Sequence, residues 1–163
     1  MTTIKYPFHF KLIYRYGNIP LSILLILYLV SSIIEVTTHW YFLFFTAINL
    51  LILVLLNIYY FRIYKLFPFT IYIDNEKMIC SNFFLSNRRI EIYHSNISRI
   101  YGGIFEGYRV GPIYLFDSKQ NITIGFYQQA GKFQAMLKII LQNINEELYN
   151  TLKEKVKLGS RKK

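Results

Sequence analysis

Hydrophobic and polar positions divide the chain into stretches of different period. Residues 19–36 (IPLSILLILYLVSSIIEV) and 40–61 (WYFLFFTAINLLILVLLNIYYF) are apolar on every face, and Glu35 is their only charge. Eighteen helical residues reach about 27 Å, close to the ~30 Å hydrocarbon thickness of a bilayer. Pro20 falls in the first turn, where a missing N–H leaves no bond unmade. Only a tight turn, around residues 35–39, separates the two runs. The pattern predicts a transmembrane helical hairpin over 19–61. The first run is too long for the apolar core of a cleaved leader, and no small-x-small site follows it.

After Pro68 the period shortens to two. Phe69 to Ile73 and Lys77 to Cys80 read as strands around a turn at Asp74-Asn75, and Ser81 to Asn87 turns again. Arg88 to Tyr93 alternates polar with apolar, His94 to Asn96 interrupts, and Ile97 to Phe105 resumes. Residues 111–116 (GPIYLF) and 122–127 (ITIGFY) flank a turn at 117–121. Short β-branched and aromatic runs at this spacing predict an antiparallel meander. From about Gln129 to Lys157 the period lengthens. Phe133, Leu137, Ile140, Leu141, Ile144, Leu148 and Leu152 fall three and four apart, predicting one amphipathic helix. The organisation expected is a basic arm (1–18), the hairpin (19–61), one α+β domain (62–152) and a basic tail (153–163).

Charge orients the hairpin. The chain carries a net +10. Lys5, Lys11 and Arg15 precede the first run and Arg62 and Lys65 follow the second, while the turn holds Glu35 and no cation. The positive-inside rule then puts both termini in the cytoplasm, in a multi-pass protein of the cytoplasmic (inner) membrane. Tyr14, Tyr16, Trp40, Tyr41, Tyr59, Tyr60 and Tyr64 sit where an interfacial aromatic belt falls. The chain is 53% hydrophobic, above the ~45–50% of soluble domains, and the excess lies in 19–61. Basic residues scattered beside a bilayer point to anionic lipid and not to nucleic acid.

Candidate chemistry is sparse. Cys80 is the single cysteine, which excludes an internal disulfide and a cysteine-based metal site. His9, His39 and His94 have no metal-ligand spacing. Gly102, Gly103, Gly107 and Gly111 match neither phosphate-loop nor dinucleotide spacing. Ser95 beside His94 lacks the glycines of a nucleophile elbow. No catalytic residue, metal or cofactor is therefore expected. Arg88, Arg89, Arg99, Arg109, Lys153, Lys155 and Lys157 are the candidate binding residues, for phospholipid head groups or an acidic protein surface. Within the spans Asn49 and Asn57 share a helix face. With Ser31 and Ser32 they are expected to pack the hairpin or to dock another membrane subunit.

The order of elements resembles the bacterial pleckstrin-homology-like (PH-like) domains of small membrane-anchored proteins. The resemblance covers about Pro68 to Asn150. It rests on the hairpin from Ile71 to Cys80, the Ile-x-x-Ser-x-Ile-x-x-Ile element (Ile92, Ser95, Ile97, Ile100) before a glycine pair, the GPIYLF and NITIGFY strands, and the final helix. It implies a bent β barrel or sandwich of roughly seven strands closed by the helix, and a docking role without enzymatic activity. The first hairpin turn holds Asp74, Asn75 and Glu76 with Lys77 alone, which departs from the basic cluster of phosphoinositide binders. The expected function is that of an interaction module, an accessory or assembly subunit of a larger membrane complex. The alternative is a sensor of anionic head groups. A lipid-directed membrane enzyme would need a cluster such as His9, Glu35 and His39, which this orientation places on opposite sides.

Overall fold

The computed structural model describes residues 2–108 and 110–161. Its elements divide into two compact units, one gathering Met1–Phe10 with Leu66–Lys163 and the other comprising Lys11–Lys65.

In the second unit α2 (Asn18–Val36) and α3 (Phe42–Leu66) form the helical pair. Both are long and apolar enough to cross a membrane, with a mean hydropathy of 2.3 and no buried residue in the apolar window of either. Thr38 and His39 donate their backbone N–H groups to the Glu35 carbonyl, which makes the turn. Trp40 and Tyr41 lie in that turn, before the second helix begins. The helix α1 (Phe8–Tyr16) meets α2 at Gly17. A Cβ there would come within 2.5 Å of the Ile13 carbonyl oxygen and 2.6 Å of the Tyr60 hydroxyl, so only glycine fits.

The first unit is α+β. A four-stranded antiparallel sheet has the order β1-β2-β3-β4, with β1 (Thr2–Lys5), β2 (Thr70–Ile73), β3 (Lys77–Ser81) and β4 (Ile90–Tyr93). A three-stranded sheet has the order β5-β6-β7, with β5 (Ile97–Gly102), β6 (Pro112–Asp117) and β7 (Ile122–Tyr127). The meander of β2 to β7 falls where the period-2 runs place it. Asp74 and Asp117 each shape a hairpin turn: their Oδ1 atoms accept N–H groups from Glu76 and Lys77, and from Lys119 and Gln120. Inward residues form the core. Ile71, Ile73, Met78, Ile92, Ile113, Leu115, Ile124, Phe126, Met136 and Ile140 are fully buried, each worth about 1.5–3 kcal/mol. Gly125 leaves room for the ring of Phe67, which a Cβ would meet at 2.6 Å.

Three features differ from expectation. First, the basic arm is structured. Thr2–Lys5 pairs with Thr70–Ile73 in antiparallel register, so the sheet draws strands from both sides of the apolar hairpin. Second, the two sheets do not close into a barrel. A 3-10 turn, His94–Asn96, leads from β4 to β5. Buried His94 anchors it, donating its backbone N–H to the Glu76 carbonyl and placing Nε2 2.9 Å from the Asp74 carbonyl. Third, the final helix is two helices, α4 (Phe133–Asn143) and α5 (Glu146–Arg161). Ile144 is extended and the Asn145 side chain accepts the Glu147 N–H. Asparagine at the cap and two glutamates in the first turn favour a new helix start. The basic tail accordingly continues as helix through Arg161.

Candidate functional site

The α+β unit carries a groove of about 890 Å3 between β5 and one face of α5. Ser95 to Tyr101 form one wall. Asn145, Glu147, Leu148, Thr151, Leu152 and Lys155 form the other, and Phe116, Ser118 and Thr123 add the flank of the sheet. The α5 residues recur at three- and four-residue steps, the spacing of a single helix face. Ile97, Ile100 and Leu152 are buried beneath the groove, so the two walls rest on the core. Above them the lining is rich in hydroxyls and amides.

Its charge is set by Arg99, Lys155 and Glu147. The Arg99 guanidinium carbon stands 5.7 Å from the centroid of Phe116, its direct neighbour on β6. The next pair on the same face of the strands, Tyr101 and Tyr114, stacks at 5.1 Å. Among the described residues the ion pairs are Lys77–Glu91 (2.9 Å) and Arg89–Glu91 (3.6 Å). Among the described residues neither groove cation lies within ion-pair distance of a carboxylate.

The structure brings two of the expected binding residues, Arg99 and Lys155, to this groove. Arg88 and Arg89 precede β4, elsewhere on the unit: Arg88 lies over the Phe83 ring at 4.3 Å and Arg89 engages Glu91. Lys153 and Lys157 are exposed on α5 outside the lining. Arg109 lies outside the described residues. The polar lining that sequence reasoning missed includes Ser98, Ser118, Thr123 and Thr151, residues with no individual signature. What unites them is proximity to β5, which no local pattern reports.

Within the helical pair, Asn57 donates from Nδ2 to Ser22 Oγ (3.0 Å) and accepts at Oδ1 from Asn18 (3.3 Å). Asn49 donates to the Leu25 carbonyl (3.0 Å), and Ser32 Oγ accepts from Thr46 (3.0 Å). Ser31 instead donates to Leu27 of its own helix. Tyr64 donates to the Arg15 carbonyl at 3.1 Å and also meets Asn18 Oδ1.

Other reactive groups are held in structural roles. Burial pushes the Cys80 thiol up to about 12, far from the thiolate that nucleophilic chemistry needs. The Lys77 ammonium holds the Glu91 carboxyl below its ordinary value, and Glu91 in turn raises Lys77. Hydrogen bonds from the Lys77 and Glu76 N–H groups lower Asp74. Among the described residues no three His, Cys, Asp or Glu side chains are grouped to hold a metal ion. No protein-family model, curated protein or solved structure matches the chain.

Proposed function

We propose that the chain is a non-enzymatic, membrane-anchored docking module of the PH-like type, an accessory or assembly subunit of a larger membrane complex. The observation that carries the reading is the β1–β2 pair. Residues before and after the apolar hairpin belong to one sheet, so a hairpin that crosses the bilayer must return to the side it left. Lys11, Arg15, Arg62 and Lys65 flank the hairpin and its turn carries no Lys or Arg, which supports the cytoplasm as that side. The α+β unit is then joined to the hairpin at two points of the chain. Two antiparallel sheets followed by helices also fit the PH-like order of elements.

A second reading, binding of anionic head groups, is favoured by the exposed Lys153 and Lys157 on α5. Each suitably placed cation near an anionic leaflet contributes about 1 kcal/mol.

Purification of the tagged full chain in mild detergent, read by mass spectrometry, separates the two. A stoichiometric membrane-protein partner supports the docking module. A lone protein that retains anionic lipid, with salt-sensitive binding to anionic vesicles, supports the head-group reading.

A further inference from the structure

We infer that the cleft between α2 and α3 beside the Glu35 turn receives a membrane-spanning helix of a partner protein, one that carries a Lys or Arg near its end, level with Glu35. The inference rests on the docking-module reading and names the face that docks and the chemistry of the helix it takes.

Each helix of the pair gives one face to the cleft. α2 contributes Tyr28, Ser31, Ser32 and Glu35, and α3 contributes a face running from Phe42 through Asn49 to Ile52. Steps of three and four are those of a single helix face. The cleft encloses about 410 Å3. From Phe42 to Ile52 is about 15 Å of helix, half the hydrocarbon thickness of a bilayer. A third helix lying there makes contact over nearly three turns. Ser31 and Ser32 are small, which lets its backbone come close.

Polar groups distinguish this cleft from an ordinary lipid-facing surface. Asn57, Asn18 and Ser22 bond one another inside the pair. Thr46 donates to Ser32, and Asn49 Nδ2 donates to the Leu25 carbonyl. Two acceptors on the lining are left over. Among the described residues, neither Asn49 Oδ1 nor the Glu35 carboxylate accepts a hydrogen bond.

Charge sets the partner. Glu35 is the only charge in residues 19–36 and 40–61. It is exposed, and among the described residues no cation lies within ion-pair distance of it. Its backbone carbonyl closes the turn, a task that needs no carboxylate. A charge within a membrane span marks a functional contact with an opposite charge. A lipid tail in the cleft offers no donor to Glu35 or Asn49. A second copy, related by a two-fold axis along the membrane normal, brings Glu35 toward Glu35 at the same depth. A helix of another protein with a Lys or Arg at that level neutralises Glu35 and gains a charge-assisted bond.

The test is a membrane two-hybrid selection. Single-span helices randomised along one face are selected for association with the full chain, with counter-selection on Glu35→Lys. Enriched helices are expected to carry Lys or Arg within about one turn of the end level with Glu35. Each is then reconstituted with the purified full chain in vesicles of zwitterionic lipid, and association is read by fluorescence energy transfer. Glu35→Gln should weaken it at least about tenfold. Ser31→Leu, which fills the cleft, should do the same. Val30→Leu, on an exposed face outside the lining, should leave it unchanged. Exchange of the helix cation for Glu should abolish association with the wild type and restore it with Glu35→Lys, which a merely structural role for Glu35 would not produce. No enrichment, enrichment of helices without a cation, association that survives Glu35→Gln, or a charge exchange that Glu35→Lys does not rescue overturns the inference. A native partner complex that persists in both Glu35→Lys and Ser31→Leu would overturn the cleft assignment while leaving the docking module standing.

Discussion

Ile4 and Ile71 stand opposite one another in the β1–β2 pair, both almost wholly buried at 1% and 0% exposure, although the apolar hairpin lies between them in the chain. Ile4→Ala leaves a cavity at this junction and should cost about 2–4 kcal/mol. Cys80 reports the loss, because its thiol is buried in β3. Its labelling by a thiol reagent at fixed pH should accelerate about 30- to 1,000-fold, at roughly tenfold per 1.4 kcal/mol. Thr3→Ala should leave it nearly unchanged. Unaltered Cys80 protection in Ile4→Ala would mean that β1 is not part of the folded core.

The β1–β2 pair also makes a topological prediction. With Cys80 replaced by Ser, single cysteines at Thr3 and at Thr38 should differ in their response to an impermeant maleimide. In intact cells only the Thr38 position, in the helix turn, should label. After permeabilisation both should. Labelling of Thr3 from outside would remove the shared cytoplasmic face.

Gly125→Ala places a methyl 2.6 Å from the Phe67 ring. Phe67 stacks on Tyr127 at 4.5 Å and meets Tyr114 edge-on at 5.8 Å, so the ring has little freedom to retreat. Destabilisation of about 1–3 kcal/mol is expected, read as faster labelling of Cys80. The double variant Gly125→Ala with Phe67→Leu should recover part of it.

Asn57 joins Asn18 and Ser22 within the helical pair. Asn57→Leu removes both bonds, each worth about 0.6 kcal/mol in a membrane setting. The expected loss is about 1–2 kcal/mol in detergent-titrated unfolding of the full chain. Ser31→Ala, which touches only a bond inside its own helix, should have a smaller effect.

The Lys77–Glu91 pair gives the pH dependence a sign. Glu91 is depressed in the fold, so its contribution is present above its unfolded value and lost as pH falls through the folded one. Lys77 is raised, so its contribution is complete below its unfolded value and lost as pH rises through the folded one. The stability difference between wild type and Glu91→Gln should therefore be flat across neutral pH and shrink at both extremes. A difference that grows on acidification would exclude the pair as its source. Both side chains are substantially exposed, so the difference itself is small.

Local pattern revealed what local pattern can carry. The two apolar helices and strands β2 to β7 follow from runs whose period is sustained over several residues. Strand β1 does not, because Thr2–Lys5 has one buried residue, Ile4, and a partner far along the chain. The break between α4 and α5 was masked by Ile144 and Leu148, which continue the apolar stripe through it. Asn145-Glu146-Glu147 was the available cap signal. Arg99 and Lys155 were visible as cations, but their meeting in one groove depends on how α5 folds back past β5.

The early strand has a consequence for synthesis. Lys5 leaves the ribosome before either apolar helix, and its partner Thr70 emerges after both. The sheet cannot be completed while residues 6–69 are still being made, so its assembly is postponed until both apolar helices have been synthesised. Acquired protection of Cys80 during translation would then act as a clock, registering that the preceding helices have already left the ribosome.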